Sequence, residues 1–194
     1  GAALDLLGSQ NVSLGGLISG TGSLVKNGTA TLALNGANTF SGGVGLNAGL
    51  LQLGNAQALG TGQLDVGGNA SLEATTALAL GNNIGLAAGA NLSVLGSNDL
   101  TLAGPVFGAG GLIKDGTARL TLSGANTYNG GTTINAGTLA LGAGGSLAAA
   151  GTVNLAVAGA TLDISAAGAA QTIGALNGVA GSQLALGAQS LNFG

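Results

Sequence analysis

Two segments of the chain are close copies of one another, and this repetition constrains the fold more than any other feature. Gly20–Gly54 reads GTGSLVKNGTATLALNGANTFSGGVGLNAGLLQLG, and Gly108–Gly142 reads GAGGLIKDGTARLTLSGANTYNGGTTINAGTLALG. The copies lie 88 residues apart and are identical at 21 of 35 aligned positions. Such repetition indicates an array in which each unit packs against neighbours of its own kind, because each unit must match the surface beneath it.

The repeat extends beyond these two segments. Gly1–Gly16 aligns with Gly89–Gly104, and Gly187–Gly194 resembles Gly8–Gly15. We therefore predict one continuous segment over residues 1–194, with repeats at about 1–88 and 89–180 and the start of a third near 181–194. Because the last copy stops after a few residues, we expect either a piece of a longer array or a subunit whose ends stack on other copies.

Short runs of alternating apolar residues recur along the whole chain. A period of two predicts half-buried strands, and turns rich in glycine and asparagine, such as NGAN and SGG, follow these runs because both residues tolerate positive φ. The 41 glycines are scattered through every window and disfavour helices. With aromatic residues at only 2 %, the core must consist of Leu, Val, Ile and Ala.

Many short strands suit a sandwich, a barrel or a β-solenoid. Close copies, small regular turns and uniformly small side chains favour the solenoid. At ~20–22 residues per coil, 88 residues would make four coils and the chain about nine, giving a rod about 43 Å long at ~4.8 Å per strand. The predicted core contains nine aliphatic residues of the two copies: Leu32, Leu34, Leu51, Leu53, Leu120, Leu122, Ile134, Leu139 and Leu141.

A second set of residues recurs at matched positions and is predicted to form the coil corners. The set comprises Lys26, Gly28, Asn38, Phe40, Gly42, Gly43, Asn47, Gly49, Lys114, Gly116, Asn126, Tyr128, Gly130, Gly131, Asn135 and Gly137. The asparagines could form stacked amide ladders or could be ordinary turn residues. The two lysines precede Asn-Gly and Asp-Gly turns and are expected to be solvated. Phe40 and Tyr128 are expected to pack over a corner, and they are also the candidates for contact with carbohydrate.

The charged residues exclude several classes of function. Only three are basic, too few to follow a phosphate backbone, so no nucleic-acid partner is expected. The absence of Cys and His excludes thiol catalysis and a Ser-His-Asp triad. The six acids are widely separated, so neither a metal site nor a catalytic carboxylate pair is predicted. We expect no enzyme and no cofactor, with a polysaccharide-degrading β-helix enzyme as the third-ranked alternative.

The pattern GxGGLxKxGxxxLTLSGANTYxGGTTxNAGTLxLG resembles the autotransporter passenger-associated β-helix repeat. The second copy matches it nearly throughout, whereas the first departs at Val44-Gly45 and at Leu50-Leu51-Gln52. The resemblance implies a single-stranded right-handed parallel β-helix in the passenger of a Gram-negative type V secretion protein. It also implies display at the cell surface, with the membrane reached only through a C-terminal barrel outside this chain.

Members of that family are mostly adhesins, aggregation factors and stalks, and the repeat carries no known catalytic residues. The expected function is therefore a structural spacer or scaffold in an adhesin-like passenger. The alternative is self-association, in cell aggregation or filaments, or weak glycan binding. The expected partners are other copies stacked end to end and a host or biofilm surface.

Overall fold

The computed structural model describes all 194 residues as 23 short strands joined by turns. The structure contains no helical segment with the length and hydropathy needed to span a bilayer. In chain order the strands are β1 (Ala3–Leu6), β2 (Val12–Leu14), β3 (Ser23–Lys26), β4 (Thr31–Leu34), β5 (Val44–Leu46), β6 (Leu50–Leu53), β7 (Leu64–Val66), β8 (Ala70–Ala74), β9 (Leu78–Leu80), β10 (Ile84–Leu86), β11 (Asn91–Leu95), β12 (Leu100–Leu102), β13 (Val106–Gly108), β14 (Gly111–Lys114), β15 (Arg119–Leu122), β16 (Thr132–Ile134), β17 (Thr138–Leu141), β18 (Thr152–Leu155), β19 (Thr161–Asp163), β20 (Gln171–Ile173), β21 (Ala175–Gly178), β22 (Gln183–Ala185) and β23 (Leu191–Phe193).

The strands stack into three faces around one core. Face A contains β1-β3-β5-β7-β10-β13, face B contains β2-β4-β6-β8-β11-β14-β16-β18-β21, and face C contains β9-β12-β15-β17-β19-β22. Every neighbouring pair is parallel, as for β3 with β5 and β4 with β6. The predicted all-β solenoid is confirmed, and the chain makes about ten turns, against about nine predicted.

Face A continues above β13 without regular strands. The amide of Thr127 donates to the carbonyl of Val106 at 2.9 Å, and the amide of Ser146 donates to the carbonyl of Gly124 at 3.3 Å. The Gln171 side chain accepts a hydrogen bond from the Leu147 amide at 3.2 Å, which brings β20 onto the same face. The pair β20-β23 then completes this face of the rod.

The length of a coil differs from the length of the repeat. Each coil advances the chain by 19–23 residues, as from Leu120 to Leu139 and from Leu139 to Leu162. Four coils carry Leu24 to Val106, an advance of 82 residues. The expectation that 88 residues make four coils is therefore wrong.

The excess length moves the second copy around the rod. Leu112, which matches Leu24 in the repeat, lies six residues after Val106 and belongs to face B rather than face A. In the same way Leu32 of face B is matched by Leu120 of face C. The three faces accept the same strand pattern, so the copies keep their local structure while changing face.

The core runs along the rod as one cluster of buried aliphatic side chains, with Phe40 and Tyr128 among them. The structure places all nine aliphatic residues named from the sequence in this cluster. Their alternation follows from strand geometry, because every second side chain of a strand points to the same side. Fully burying a Leu or Ile side chain contributes about 1.5–3 kcal/mol, so this column supplies most of the stabilisation.

Candidate functional site: contacts between coils

Asn38 joins three successive coils through its buried side-chain amide. Its Oδ1 accepts a hydrogen bond from the Ile18 amide at 2.9 Å, and its Nδ2 donates to the carbonyl of Ala58 at 2.7 Å. These partners lie 20 residues before and 20 residues after Asn38. The side chain therefore replaces two backbone hydrogen bonds at a point where no regular strand forms.

Asn126, the matching residue of the second copy, makes the same bridge on face A. Its Oδ1 accepts from the Val106 amide at 2.8 Å, and its Nδ2 donates to the Ser146 carbonyl at 2.8 Å. The Ser146 hydroxyl also accepts a hydrogen bond from the backbone amide of Asn126 at 2.9 Å. The sequence singled out Asn126 as a corner residue or ladder member, whereas the structure makes it a buried link between coils.

The expectation that Lys26 and Lys114 are solvated is wrong. Their exposed fractions are only 3 % and 2 %. Lys26 Nζ donates to the carbonyl of Gly28 in its own coil and to the carbonyl of Ala48 in the next coil, at 3.2 Å for the latter. The ammonium group thus satisfies backbone carbonyls at a corner that would otherwise be left without donors.

Lys114 repeats this arrangement one face further round. Its Nζ donates to the carbonyl of Gly116 and, at 3.3 Å, to the carbonyl of Ala136. Burial lowers the pKa of both lysines, and for Lys114 the nearby carboxylates of Asp115 and Asp99 oppose that shift. The two lysines therefore act as corner clamps whose charge is held away from water.

Strand parity is the signal that could have located these lysines. In β3, Leu24 and Lys26 share the inward-facing parity, and Leu112 and Lys114 share it in β14. A side chain two residues from a core leucine on a strand points into the same interior. The adjoining Asn-Gly and Asp-Gly turns favour exposure and so oppose this signal.

On the outside of the corners, asparagine and aspartate side chains form short ladders. Asn47 Nδ2 donates to Asn27 Oδ1 at 2.6 Å, and Asn27 Nδ2 donates to Asp5 Oδ1 at 2.8 Å. In the second copy, Asn135 Nδ2 donates to Asp115 Oδ1 at 2.6 Å. These ladders link one coil to the next along the exposed side of the rod.

Phe40 and Tyr128 lie in the core rather than over a corner, which corrects the expectation from the sequence. The Tyr128 hydroxyl is hydrogen-bonded to the Thr132 hydroxyl at 2.7 Å. Burial raises the pKa of Tyr128 to about 12, although the bond to Thr132 opposes this. In the first copy the matching residues are Phe40 and Val44, both buried. Neither ring therefore offers a face to carbohydrate.

The corner glycines serve two needs. One group has φ of 63–85°, a left-handed conformation that other residues rarely adopt: Gly43, Gly49, Gly131 and Gly137. In the other group a Cβ would collide with backbone of the preceding coil: Gly28, Gly42, Gly116 and Gly130. Both kinds permit the close stacking of corners.

One salt bridge clamps the outside of face C. Arg119 donates to Asp163 Oδ2 at 2.8 Å, across a separation of 44 residues. Hydrogen bonds from Ser165 and Arg119 hold the pKa of Asp163 below its ordinary value. No three of the chain's carboxylate side chains lie together as a group that could hold a metal ion.

Comparison with known proteins identifies the repeat. The profile of a family described as Passenger-associated-transport-repeat matches residues 24–53 and 112–141. Over 161 residues, 74 % of this chain, the sequence is 38 % identical to the Adhesin BmaC autotransporter of Brucella suis biovar 1 (strain 1330). The chain spans 5 % of the length of that protein. No solved structure matches. The resemblance inferred from the sequence is confirmed.

Proposed function

The chain carries two passenger-associated-transport repeats, and on that premise we propose that it is a structural spacer and scaffold segment of a surface-displayed autotransporter passenger. The similar protein from Brucella suis is named as an adhesin autotransporter. The proposed location is the cell surface of a Gram-negative bacterium, where a passenger must extend from the membrane. The role proposed here is to hold other parts of such a passenger at a fixed distance.

The observation that carries this proposal is that four polar side chains of the repeat point into the rod. Lys26, Asn38, Lys114 and Asn126 are all buried and all bond to backbone of adjacent coils. No buried side-chain nitrogen or oxygen lacks a partner. A binding module would instead present such groups to solvent, so the signature residues of the repeat favour stacking as their purpose.

The geometry also suits a spacer. Parallel strands stack at ~4.8 Å, so about ten turns form a rod of about 45 Å. Each coil touches only its neighbours, which lets the length of the rod change by whole coils without altering its cross-section. Such a rod can hold the segments at its two ends at a fixed distance from each other.

A replacement experiment in the complete passenger tests the spacer role. The segment is exchanged for an unrelated solenoid with the same number of turns, and a matched strain carries a simple deletion. We expect surface display and adhesion to survive the exchange, and reach from the membrane to shorten in the deletion strain. Adhesion lost on exchange despite normal display would contradict the proposal, as would saturable binding of the purified chain to host cells. Linear oligomers that grow with concentration in light scattering would favour self-association instead.

A further inference from the structure

A shallow groove on face A carries an aromatic ring beside polar side chains. Along this face the outward positions of successive strands are Val25, Gly45, Asp65, Gly85 and Phe107, each the stacking partner of the next. Gly45 and Gly85 place no side chain on either side of Asp65. Neighbouring side chains cover Gly85, and a shallow groove of about 300 Å³ remains along this row. This lies at the lower end of the roughly 300–1,000 Å³ that small-molecule sites occupy.

Three side chains converge above Gly85. A Cβ atom built on Gly85 would lie 3.0 Å from Asp65 Oδ1, 3.1 Å from Gln63 Nε2 and 3.4 Å from Phe107 Cζ. The carboxamide of Gln63 donates a hydrogen bond to Asp65, which fixes the orientation of both groups. Asn47 lines the groove together with Asp65 and Phe107. A carboxylate, a carboxamide and an aromatic ring therefore border one small, low surface.

The repeat does not specify an aromatic residue at the position of Phe107. Phe107 points outward and is half-buried, whereas Phe40 and Tyr128 fill the core. The position that matches Phe107 in the first copy holds Ser19, so the ring is not part of the repeat. Phe107 is thus an outward-facing ring that lies against Gly85 of the preceding coil, at a position that the repeat does not specify.

We propose that this groove binds the pyranose ring of a neutral or amino sugar. The ring of Phe107 supplies an apolar surface for the C–H face of a sugar. Asp65 supplies an acceptor for the sugar hydroxyl groups, and the hydrogen bond from Gln63 holds the Asp65 carboxylate in place. Asp65 takes part in no salt bridge, so its charge disfavours an acidic sugar and favours an ammonium group. This site goes beyond the spacer role, and Asn47 is the one residue of the recurring set that lines it.

Titration of the 194-residue chain, followed by NMR, tests the proposal. The probes are the methyl glycosides of glucose, galactose and mannose, together with glucosamine and N-acetylneuraminic acid. We expect saturable binding of at least one neutral or amino sugar in about the millimolar range, with N-acetylneuraminic acid much weaker. Phe107→Ala should weaken binding at least ~10-fold, Phe107→Trp should retain it, and Asp65→Asn should weaken it.

Asp5→Asn is the matched control, because Asp5 stands in the same outward row beyond Val25 and outside the groove; it should leave binding unchanged. Two results would overturn the proposal: no saturable binding by any probe, or binding that Phe107→Ala leaves intact. Association of chains that disappears in Phe107→Ala would also overturn it, by showing the ring to be a contact between copies. Failure of sugar binding leaves the spacer role standing, because the exchange experiment measures display and reach. Association of chains is the one outcome that would count against both proposals.

Discussion

The two copies of the repeat make the same contacts on different faces of the rod. Lys26 clamps the corner after β3 on face A, and Lys114 clamps the corner after β14 on face B. Asn38 and Asn126 each bridge to the coils before and after their own. The repeat residues therefore determine contacts between adjacent coils, and these contacts can form on different faces of the rod.

The two copies differ at a pair of buried residues that contact each other. Tyr128 and Thr132 share a buried hydrogen bond, and the first copy replaces both with the apolar residues Phe40 and Val44. A buried hydroxyl without a partner is costly, so loss of one hydroxyl favours loss of the other. This difference indicates that the repeat tolerates replacement of both hydrogen-bonding residues together more easily than replacement of one of them.

The largest effect is expected from matched cavities in the two copies. Leu34 and Leu122 occupy the same repeat position and are both fully buried. Leu34→Ala and Leu122→Ala should each lower the free energy of unfolding by about 2–5 kcal/mol, with the damage confined to adjacent coils. Chemical denaturation with hydrogen-exchange mass spectrometry measures both quantities. A cost below ~0.5 kcal/mol at either site, typical of the surface, would break the equivalence of the copies.

A double substitution can convert one copy into the other. Tyr128→Phe alone should cost about 1–3 kcal/mol, because it leaves the Thr132 hydroxyl buried without its partner. Adding Thr132→Val, which restores the pair found in the first copy, should recover most of that loss. Urea denaturation of the two singles and the double gives the coupling energy. Additive losses in the double variant would show that the two residues act independently.

A smaller, pH-dependent effect is expected from the two lysine clamps. Burial lowers their pKa below the ordinary 10.5, so the folded chain holds these protons less firmly than the unfolded chain. The free energy of unfolding should therefore rise as the pH increases from the lowered pKa towards 10.5.

Urea denaturation at about pH 8 and about pH 10 measures this rise. Lys26→Met and Lys114→Met should each remove part of it, and the double variant most of it. An unchanged rise in the double variant would mean that other groups cause it.

The smallest effect is expected where the second copy has a contact that the first lacks. Arg119 takes the position of Thr31, and its salt bridge to Asp163 is partly exposed. Arg119→Thr should cost only about 0.2–1 kcal/mol, less at high salt. Asp163 should keep a lowered pKa, because Ser165 also donates to it. Thermal unfolding at two salt concentrations checks this, and a loss above ~2 kcal/mol would show that the bridge holds the coils together.

Much of the fold followed from the sequence because parity and repetition are local signals. Alternation identified the core leucines, and the match between copies identified the polar residues that recur. The position of the second copy around the rod could not be read in this way, because it depends on the sum of many coil lengths. Three of the four coils from Leu24 to Val106 advance by 20 residues instead of 22, and the accumulated difference moves Leu112 onto another face than Leu24.

The sequence identified which polar residues recur in the repeat, but it did not predict which contacts they make. Lys26 and Lys114 carry a charge, which usually indicates exposure. Their strand parity points inward, and the carbonyls that surround them in the structure satisfy the buried charge. Phe107 carries no repeat signal and lies over Gly85, which is 22 residues earlier in the chain. Both cases depend on residues from adjacent coils, whose register a single sequence does not state.

Distances between spin labels test the central claim, that the second copy sits one face further round the rod. Cysteine pairs at Val25 and Phe107, and at Val25 and Ile113, carry nitroxide labels for pulsed electron resonance. Val25 and Phe107 lie four coils apart on face A, so their Cα atoms should be about 19 Å apart at ~4.8 Å per coil. Ile113, the repeat match of Val25, points outward from face B, so this pair should be clearly longer. A shorter distance for Val25–Ile113 than for Val25–Phe107 would contradict the account, since it would place the two copies on one face.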